Sequence, residues 1–185
     1  MLIRRPEGGG TLLTRWDGDS LPDDAQFLCG PTERVLVVDL DDEELASFGP
    51  GRHALPPGLR GRDEPVNVFF VSTAPVRVHA QGTLEFHDDE PWVEIDATVT
   101  VNDPSMLLGL VSHLDEESGE QYVAEDLLRA AGTTAEDNGW GLDALLEASE
   151  SFAAAIEGEA TDALEMFGLA VSVERVQVSA SAPRG

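Results

Sequence analysis

The spacing of the apolar residues changes from a strand pattern to a helix pattern near residue 103, and this change constrains the fold more than any other feature. From Val93 to Asn102, apolar and polar residues alternate strictly, as in a strand with one buried and one solvated face. After Asp103 the apolar residues recur at steps of three and four, as on one face of a helix. Strands and helices grouped in this way predict an α+β fold and argue against a doubly wound sheet.

Short apolar segments separated by turn residues precede this change. The segment Val35–Val38 is apolar at every position, which predicts a central strand covered on both faces. The corner Gly49-Pro50-Gly51 predicts a tight turn that uses positive φ, between a strand that ends at Phe48 and one that begins at Arg52. Further strands are predicted over residues 25–29, 66–71 and 76–86, and an acidic turn over residues 39–44.

Three helical stretches follow. Asp103 is predicted as an N-cap with Pro104 at the first helical position, and a second short helix is predicted to end at Gly132. An apolar stripe from Leu142 to Phe167 predicts a long helical region that Gly158 either bends or divides. We expect this stripe to pack on the sheet, and the alternative is a helix interface between copies.

The pair Phe167-Gly168 predicts a helix C-cap, after which a last strand begins. Its apolar phase shifts between Val173 and Val176, which a β-bulge or a change of covering surface would explain. The predicted fold is therefore a mostly antiparallel twisted sheet with a helical cluster packed on it and a final C-terminal strand. We expect an N-terminal arm over residues 1–23, the domain over 24–180 and a frayed C-terminus over 181–185.

The net charge is −25, from 36 acidic residues against 11 basic residues that are all arginine. Such a surface repels nucleic-acid phosphates and anionic membranes, so neither is an expected partner. The partners that remain possible are basic proteins, cations and further copies of the chain. The charge also fits a general adaptation to a saline cytoplasm, in which case it says little about function.

No segment approaches the length of a membrane span, and the N-terminus does not read as a signal peptide, so a cytoplasmic location without a direct membrane span is expected. The single cysteine, Cys29, is predicted to be a buried strand residue. The histidines show no metal-ligand spacing, and the acidic run Asp88-Asp89-Glu90 beside His87 is expected to be a solvated turn. No nucleophile elbow or phosphate-binding loop is present, so we expect no catalytic residues, metal or cofactor.

Arg52, Arg60 and Arg62, together with His53, form the one basic patch of this acidic chain. One interpretation is a contact with the acidic helical region of a neighbouring copy, a head-to-tail arrangement that can close rings. The other is a loop of solvated arginines.

Three stretches, in this order, resemble the SPFH (stomatin/prohibitin/flotillin, band-7) superfamily, most closely its soluble bacterial "virion core protein-like" branch. The first is Glu33–Asp39 followed by Phe48–Leu55 with its Gly-Pro-Gly-Arg corner. The second is residues 67–72, 81–83 and 93–104, which end at the Asp-Pro pair. The third is Ala163–Val178, where an aromatic-glycine pair leads into a strand.

The resemblance covers roughly residues 25–180, and it implies assembly of identical chains into rings, cages or clusters without catalysis. The membrane anchor and long coiled coil of stomatin-like members are not seen in this sequence, so any membrane association is expected to be indirect. We therefore expect a non-enzymatic, homo-oligomeric scaffold that organises partner proteins. The alternative is an acidic adaptor or inhibitor that holds a basic protein without assembling.

Overall fold

A computed structural model describes residues 1–7, 12–16, 21–41, 43–62, 64–84, 90–111, 118–147 and 149–182. The strands are β1 (Leu2–Arg4), β2 (Leu13–Trp16), β3 (Gln26–Cys29), β4 (Glu33–Val38), β5 (Glu44–Phe48), β6 (Gly51–Ala54), β7 (Asn67–Ser72), β8 (Val76–Thr83), β9 (Trp92–Val101) and β10 (Leu169–Ser179). The helices are α1 (Leu108–Val111), α2 (Gly119–Asp137), α3 (Leu142–Glu147) and α4 (Ser149–Glu165), with a 3₁₀ turn at Pro57–Leu59. The predicted α+β class and the order of strands, helices and final strand are confirmed.

The strands form three small sheets, where the sequence predicted one. Their orders are β1-β3-β6, β2-β7-β4-β5 and β10-β9-β8. The Gly49-Pro50-Gly51 corner is a turn as predicted, with Gly51 at φ 121°, but it also carries the chain from one sheet to another. The tight turn redirects the chain, so β6 pairs with β3 instead of continuing the sheet of β5.

The chain divides into two compact units. Unit 1 comprises Met1–Val76 and Val101–Glu120, and unit 2 comprises Arg77–Thr100 and Gln121–Gly185. Unit 1 contains the first two sheets and unit 2 the third sheet with most of the helical residues.

The core of unit 1 lies between the inner face of β1-β3-β6 and one face of the four-stranded sheet. It is a cluster of buried apolar side chains: Ile3, Ala25, Phe27, Cys29, Val35, Val37, Leu55, Leu59, Val68 and Phe70. Phe27 stacks on Phe48 with ring centroids 5.0 Å apart. Every residue of β4 from Val35 to Val38 is buried, as predicted for a strand covered on both faces.

The first residues, predicted as an arm, contribute two strands to this unit. β1 pairs in parallel with β3, and β2 pairs antiparallel with β7. Ile3, Leu12 and Leu13 are buried, so this segment is part of the packed structure. Each strand has only three or four residues, too few for the apolar spacing to be recognised in a glycine-rich sequence.

Unit 2 places α4 against β10. The buried face of α4 carries Phe152, Ile156, Ala160 and Leu164, as expected if the apolar stripe packs on the sheet. Along β10 the buried positions change from Leu169 and Val171 to Val176, so the predicted phase shift is present. The chain leaves α4 at Phe167-Gly168, where Gly168 has φ 70° and its N–H donates to Glu165 O at 2.9 Å, which agrees with the predicted C-cap.

Two helix boundaries differ from the predictions, and the structure decides between the two interpretations of Gly158. Residues 104–107 form turns, and α1 begins only at Leu108, although Asp103 Oδ1 accepts the Ser105 N–H at 3.0 Å as a cap would. α2 continues through Gly132 to Asp137, because a single glycine lowers helix stability without ending a helix whose apolar face continues. Gly158 does not divide the long stripe, because α4 continues through it to Glu165.

Candidate assembly surface

The outward face of the β1-β3-β6 sheet carries apolar side chains, two arginines and one glutamine, and the described residues of its three strands include no acidic side chain on this face. Register places Arg4, Leu28 and Arg52 in one cross-strand row, and Leu2, Gln26 and Ala54 in the next row. We call these six residues the outer face. Because neighbouring strands lie about 4.8 Å apart, the two arginines flank Leu28 about 5 Å away on either side.

The alternation of strand side chains explains this composition. Ile3, Phe27 and His53 form the opposite row, and Ile3 and Phe27 are fully buried in the core of unit 1. Their sequence neighbours must therefore face outward. Leu2 is 46% exposed and Leu28 is 40% exposed, so two leucines lie side by side with two guanidinium groups on a solvated face.

The three arginines singled out from the sequence have different positions. Arg52 lies in the centre of β6 on the outer face, where its Nε donates to Gln26 Oε1 at 2.6 Å. Arg60 follows the 3₁₀ turn, and its Nε donates to Leu55 O at 3.1 Å, near the end of β6. Arg62 is half-buried and ion-paired with Glu64 at 2.7 Å.

Arg62 belongs to a cleft beside the turn between β4 and β5. This cleft has a volume of about 240 Å³, and its lining residues are Asp39, Leu40, Asp41, Arg62, Glu64 and Pro65. The predicted patch is thus divided between the outer face, the end of β6 and an acidic cleft.

Sequence reasoning missed the contribution of Leu2, Arg4 and Leu28 to this surface. Alternating burial in residues 2–4 and 26–29 could have indicated it, because Ile3 and Phe27 face the core and their sequence neighbours face outward. Only the parallel pairing of β1 with β3, which joins residues 24 positions apart, places Arg4 beside Leu28.

A second cluster of charged side chains lies on the solvated face of the unit 2 sheet. His79 Nδ1 is 2.8 Å from Asp96 Oδ1, and Arg175 donates to Asp96 Oδ2 from Nε at 2.8 Å and from its terminal nitrogen at 2.7 Å. The hydrogen bond from His79 is the largest cause that lowers the pKa of the Asp96 carboxyl, and the Arg175 guanidinium lowers it further, while desolvation partly opposes both. This arrangement is a cross-strand ion-pair network that links β8, β9 and β10.

Cys29 is buried in β3, as predicted, with its Sγ 3.5 Å from Phe48 O. Burial, and secondarily the charge of Glu33, raises the pKa of the Cys29 thiol. A thiol that is buried and protonated is a poor nucleophile and serves here as a core residue.

Among the residues that the structure describes, no three His, Cys, Asp or Glu side chains come together as metal ligands. His87, Asp88 and Asp89, which belong to the acidic run expected above to be a solvated turn, lie outside the described residues. Within the described part of the chain, no helix is both long and apolar enough to cross a membrane. Comparison with known proteins found no matching family model and no matching curated protein.

Proposed function

We propose that this protein is a non-enzymatic scaffold that assembles with further copies of itself and organises partner proteins. The observation that carries the proposal is the outer face, where Leu28 lies between Arg4 and Arg52 in a chain of net charge −25. Apolar contact supplies affinity, and the arginines select an acidic counterpart, which every copy of this chain can provide.

The resemblance to the SPFH superfamily supports the same proposal. Its three motifs fall at boundaries between elements: Gly49-Pro50-Gly51 at a sheet-to-sheet corner, Asp103-Pro104 at the end of β9 and Phe167-Gly168 at the end of α4. We propose that the chain is a soluble, cytoplasmic SPFH-type domain that forms a ring, cage or cluster, and that any membrane association occurs through another protein.

Native mass spectrometry and sedimentation velocity at micromolar protein concentration test the assembly. We expect oligomers whose population grows as NaCl rises from about 50 mM to about 500 mM, because salt screens the repulsion between the acidic copies while the leucine contacts persist. A strict monomer over the whole salt range would falsify the proposal.

The adaptor hypothesis has its own observation, since α3 and α4 expose acidic side chains together with Leu146, and Met166 is exposed just after α4. Such a surface fits a basic protein. An adaptor is expected to remain monomeric at all salt concentrations and to bind an arginine-rich peptide with an affinity that falls steeply with salt. The scaffold is expected to assemble without any such peptide.

A further inference from the structure

The turn between β4 and β5 presents an exposed leucine between two acidic residues. Leu40 is 65% exposed and lies between Asp39 and Asp41, and we call these three residues the acidic knob. Asp39 Oδ1 accepts the N–H of Asp41 at 3.0 Å and that of Glu43 at 2.9 Å, and Asp39 N donates to Glu43 O at 3.1 Å. These bonds connect Asp39 to Asp41, on the other side of Leu40, and to Glu43, just before β5, and so restrain the knob.

The cleft of about 240 Å³ that contains Arg62 lies directly beside the knob. Leu40 and Pro65 give it apolar walls, and Asp39, Asp41 and Glu64 give it three carboxylates against the single guanidinium of Arg62. An arginine side chain matches such a cleft, because its methylene stem packs on apolar walls while its guanidinium binds carboxylates.

The outer face is complementary to the knob in both charge and polarity. Both surfaces contain exposed leucines, which can pack on one another. On the outer face Leu28 lies between two arginines, whereas in the knob Leu40 lies between two aspartates, so the flanking charges are opposite. We propose that the acidic knob of one copy docks on the outer face of the next, with Leu40 against Leu28 and Leu2. Asp39 and Asp41 then lie opposite Arg4 and Arg52, and one of these arginines extends into the cleft.

This inference rests on the proposed self-assembly and specifies its geometry. The knob belongs to the four-stranded sheet and the outer face to the β1-β3-β6 sheet, so each copy carries one of each on different surfaces. The contact is therefore heterologous, and repeated copies add head to tail into a ring if the rotation between them closes and into a filament if it does not. A second copy is the favoured occupant because both halves of the contact lie in unit 1 of every chain.

Two single variants separate the halves of the contact. Arg52→Glu reverses the charge of the outer face and leaves the knob intact, whereas Asp41→Arg reverses the knob and leaves the outer face intact. Each is expected to weaken self-association at least about tenfold, measured by sedimentation velocity at about 150 mM NaCl. The matched controls are Arg77→Glu on β8 and Asp162→Arg on α4, which make the same charge changes at exposed positions of unit 2 and are expected to assemble like the wild type.

Mixing the two variants gives the sharpest test. An equimolar mixture is expected to form complexes that contain the two variants in a 1:1 ratio, visible by native mass spectrometry, because the intact knob of Arg52→Glu meets the intact outer face of Asp41→Arg and the two reversed charges are also of opposite sign. Circular dichroism and thermal unfolding of each variant verify that it is folded.

The possible results are distinguishable. If the wild type assembles but Arg52→Glu or Asp41→Arg assembles equally well, or if their mixture gives no complex that contains both variants, this contact is overturned while the scaffold proposal stands. Loss of assembly in Asp162→Arg with none in Asp41→Arg assigns the partner surface to α4 instead. A wild type that stays monomeric overturns the scaffold proposal itself.

Discussion

Unit 1 contains seven of the eleven arginines and unit 2 four, while each unit contains eighteen acidic residues. In unit 2, Arg129 binds the buried Asp126 and Arg175 binds Asp96, so these guanidinium groups neutralise carboxylates of their own unit. In unit 1, Arg4 and Arg52 lie on an exposed sheet face beside two leucines. Unit 1 also contains the ion pair of Arg62 with Glu64, so the feature that distinguishes it is the exposed pair Arg4 and Arg52, for which we propose a role in recognition.

Replacing an arginine in each unit tests this comparison and gives the largest expected difference. The Asp126 side chain is only 2% exposed, and its Oδ2 has no hydrogen-bond partner among the described residues. Arg129→Ala removes the ion pair at Oδ1 and leaves a buried carboxylate, which is expected to lower the free energy of unfolding by about 2 kcal/mol. Arg52→Ala removes one bond at an exposed site and is expected to cost below about 0.5 kcal/mol.

Urea unfolding of the two variants, at a protein concentration where both are monomeric, provides the measurement. Asp126→Asn combined with Arg129→Ala is the control, because it removes the buried charge and is expected to recover part of the loss. Equal effects of Arg129→Ala and Arg52→Ala would show that arginines stabilise both units alike, and the contrast between the units would be wrong.

The sequence predicted features that depend on neighbouring residues. Alternation located β9, the four apolar residues of β4 predicted burial on both faces, and Phe167-Gly168 located the end of α4. Features that depend on distant pairing were missed. The first two sheets are separate because β6 pairs with β3 and not with a strand of the sheet that contains β5. The outer face exists because β1 pairs in parallel with β3.

The candidate site shows the same division. The sequence identified Arg52, Arg60 and Arg62 because basic residues are rare in this chain. It could not show that Arg52 lies beside Leu28 or that Arg62 pairs with Glu64 in a cleft, because a cross-strand neighbour is determined by register. Arg62 and Glu64 are two residues apart in sequence, but the side chains of such residues contact one another only in some backbone conformations.

Replacing one glycine in each unit by alanine is expected to change the free energy of unfolding by about 1 kcal/mol, in opposite directions in the two units. Gly51 at the corner in unit 1 has φ 121°, a conformation that L-residues rarely adopt, so Gly51→Ala is expected to destabilise by about 1 kcal/mol or more. Gly158 lies inside α4, and a Cβ there meets nothing within 4 Å, so Gly158→Ala is expected to stabilise by about 0.5–1 kcal/mol.

Thermal unfolding measures both glycine variants, and Gly132→Ala in α2, which also has open space, is the matched control for Gly158→Ala. If Gly158→Ala leaves the monomer more stable but weakens self-association, then the exposed face of α4 contacts another copy. That result would move the interface from unit 1 to unit 2.

The smallest expected effect concerns pH and the charges of unit 2. Asp96 has a pKa below the usual 3.8 because His79 and Arg175 bind its carboxylate, and the unfolded chain lacks these partners. A lowered pKa in the folded state means that the stabilisation is fully present above the unfolded pKa and is lost as pH falls through the lower, folded pKa. Asp96→Asn is therefore expected to be less stable than the wild type above about pH 5, and the difference is expected to shrink at lower pH.

Urea unfolding of both proteins between about pH 2 and about pH 6 measures this difference, and repeating it in about 0.5 M NaCl is expected to reduce it, because the carboxylate is partly exposed. Asp162→Asn, at an exposed position of α4, is the control and is expected to show a smaller pH-dependent difference. A difference for Asp96→Asn that stays constant from acid to neutral pH would assign the effect to lost hydrogen bonds instead of charge. In that case Arg175 would hold β10 against β9 without neutralising Asp96. Among the described residues of unit 2, Arg129 would then be the arginine whose ion pair contrasts with the exposed Arg4 and Arg52 of unit 1.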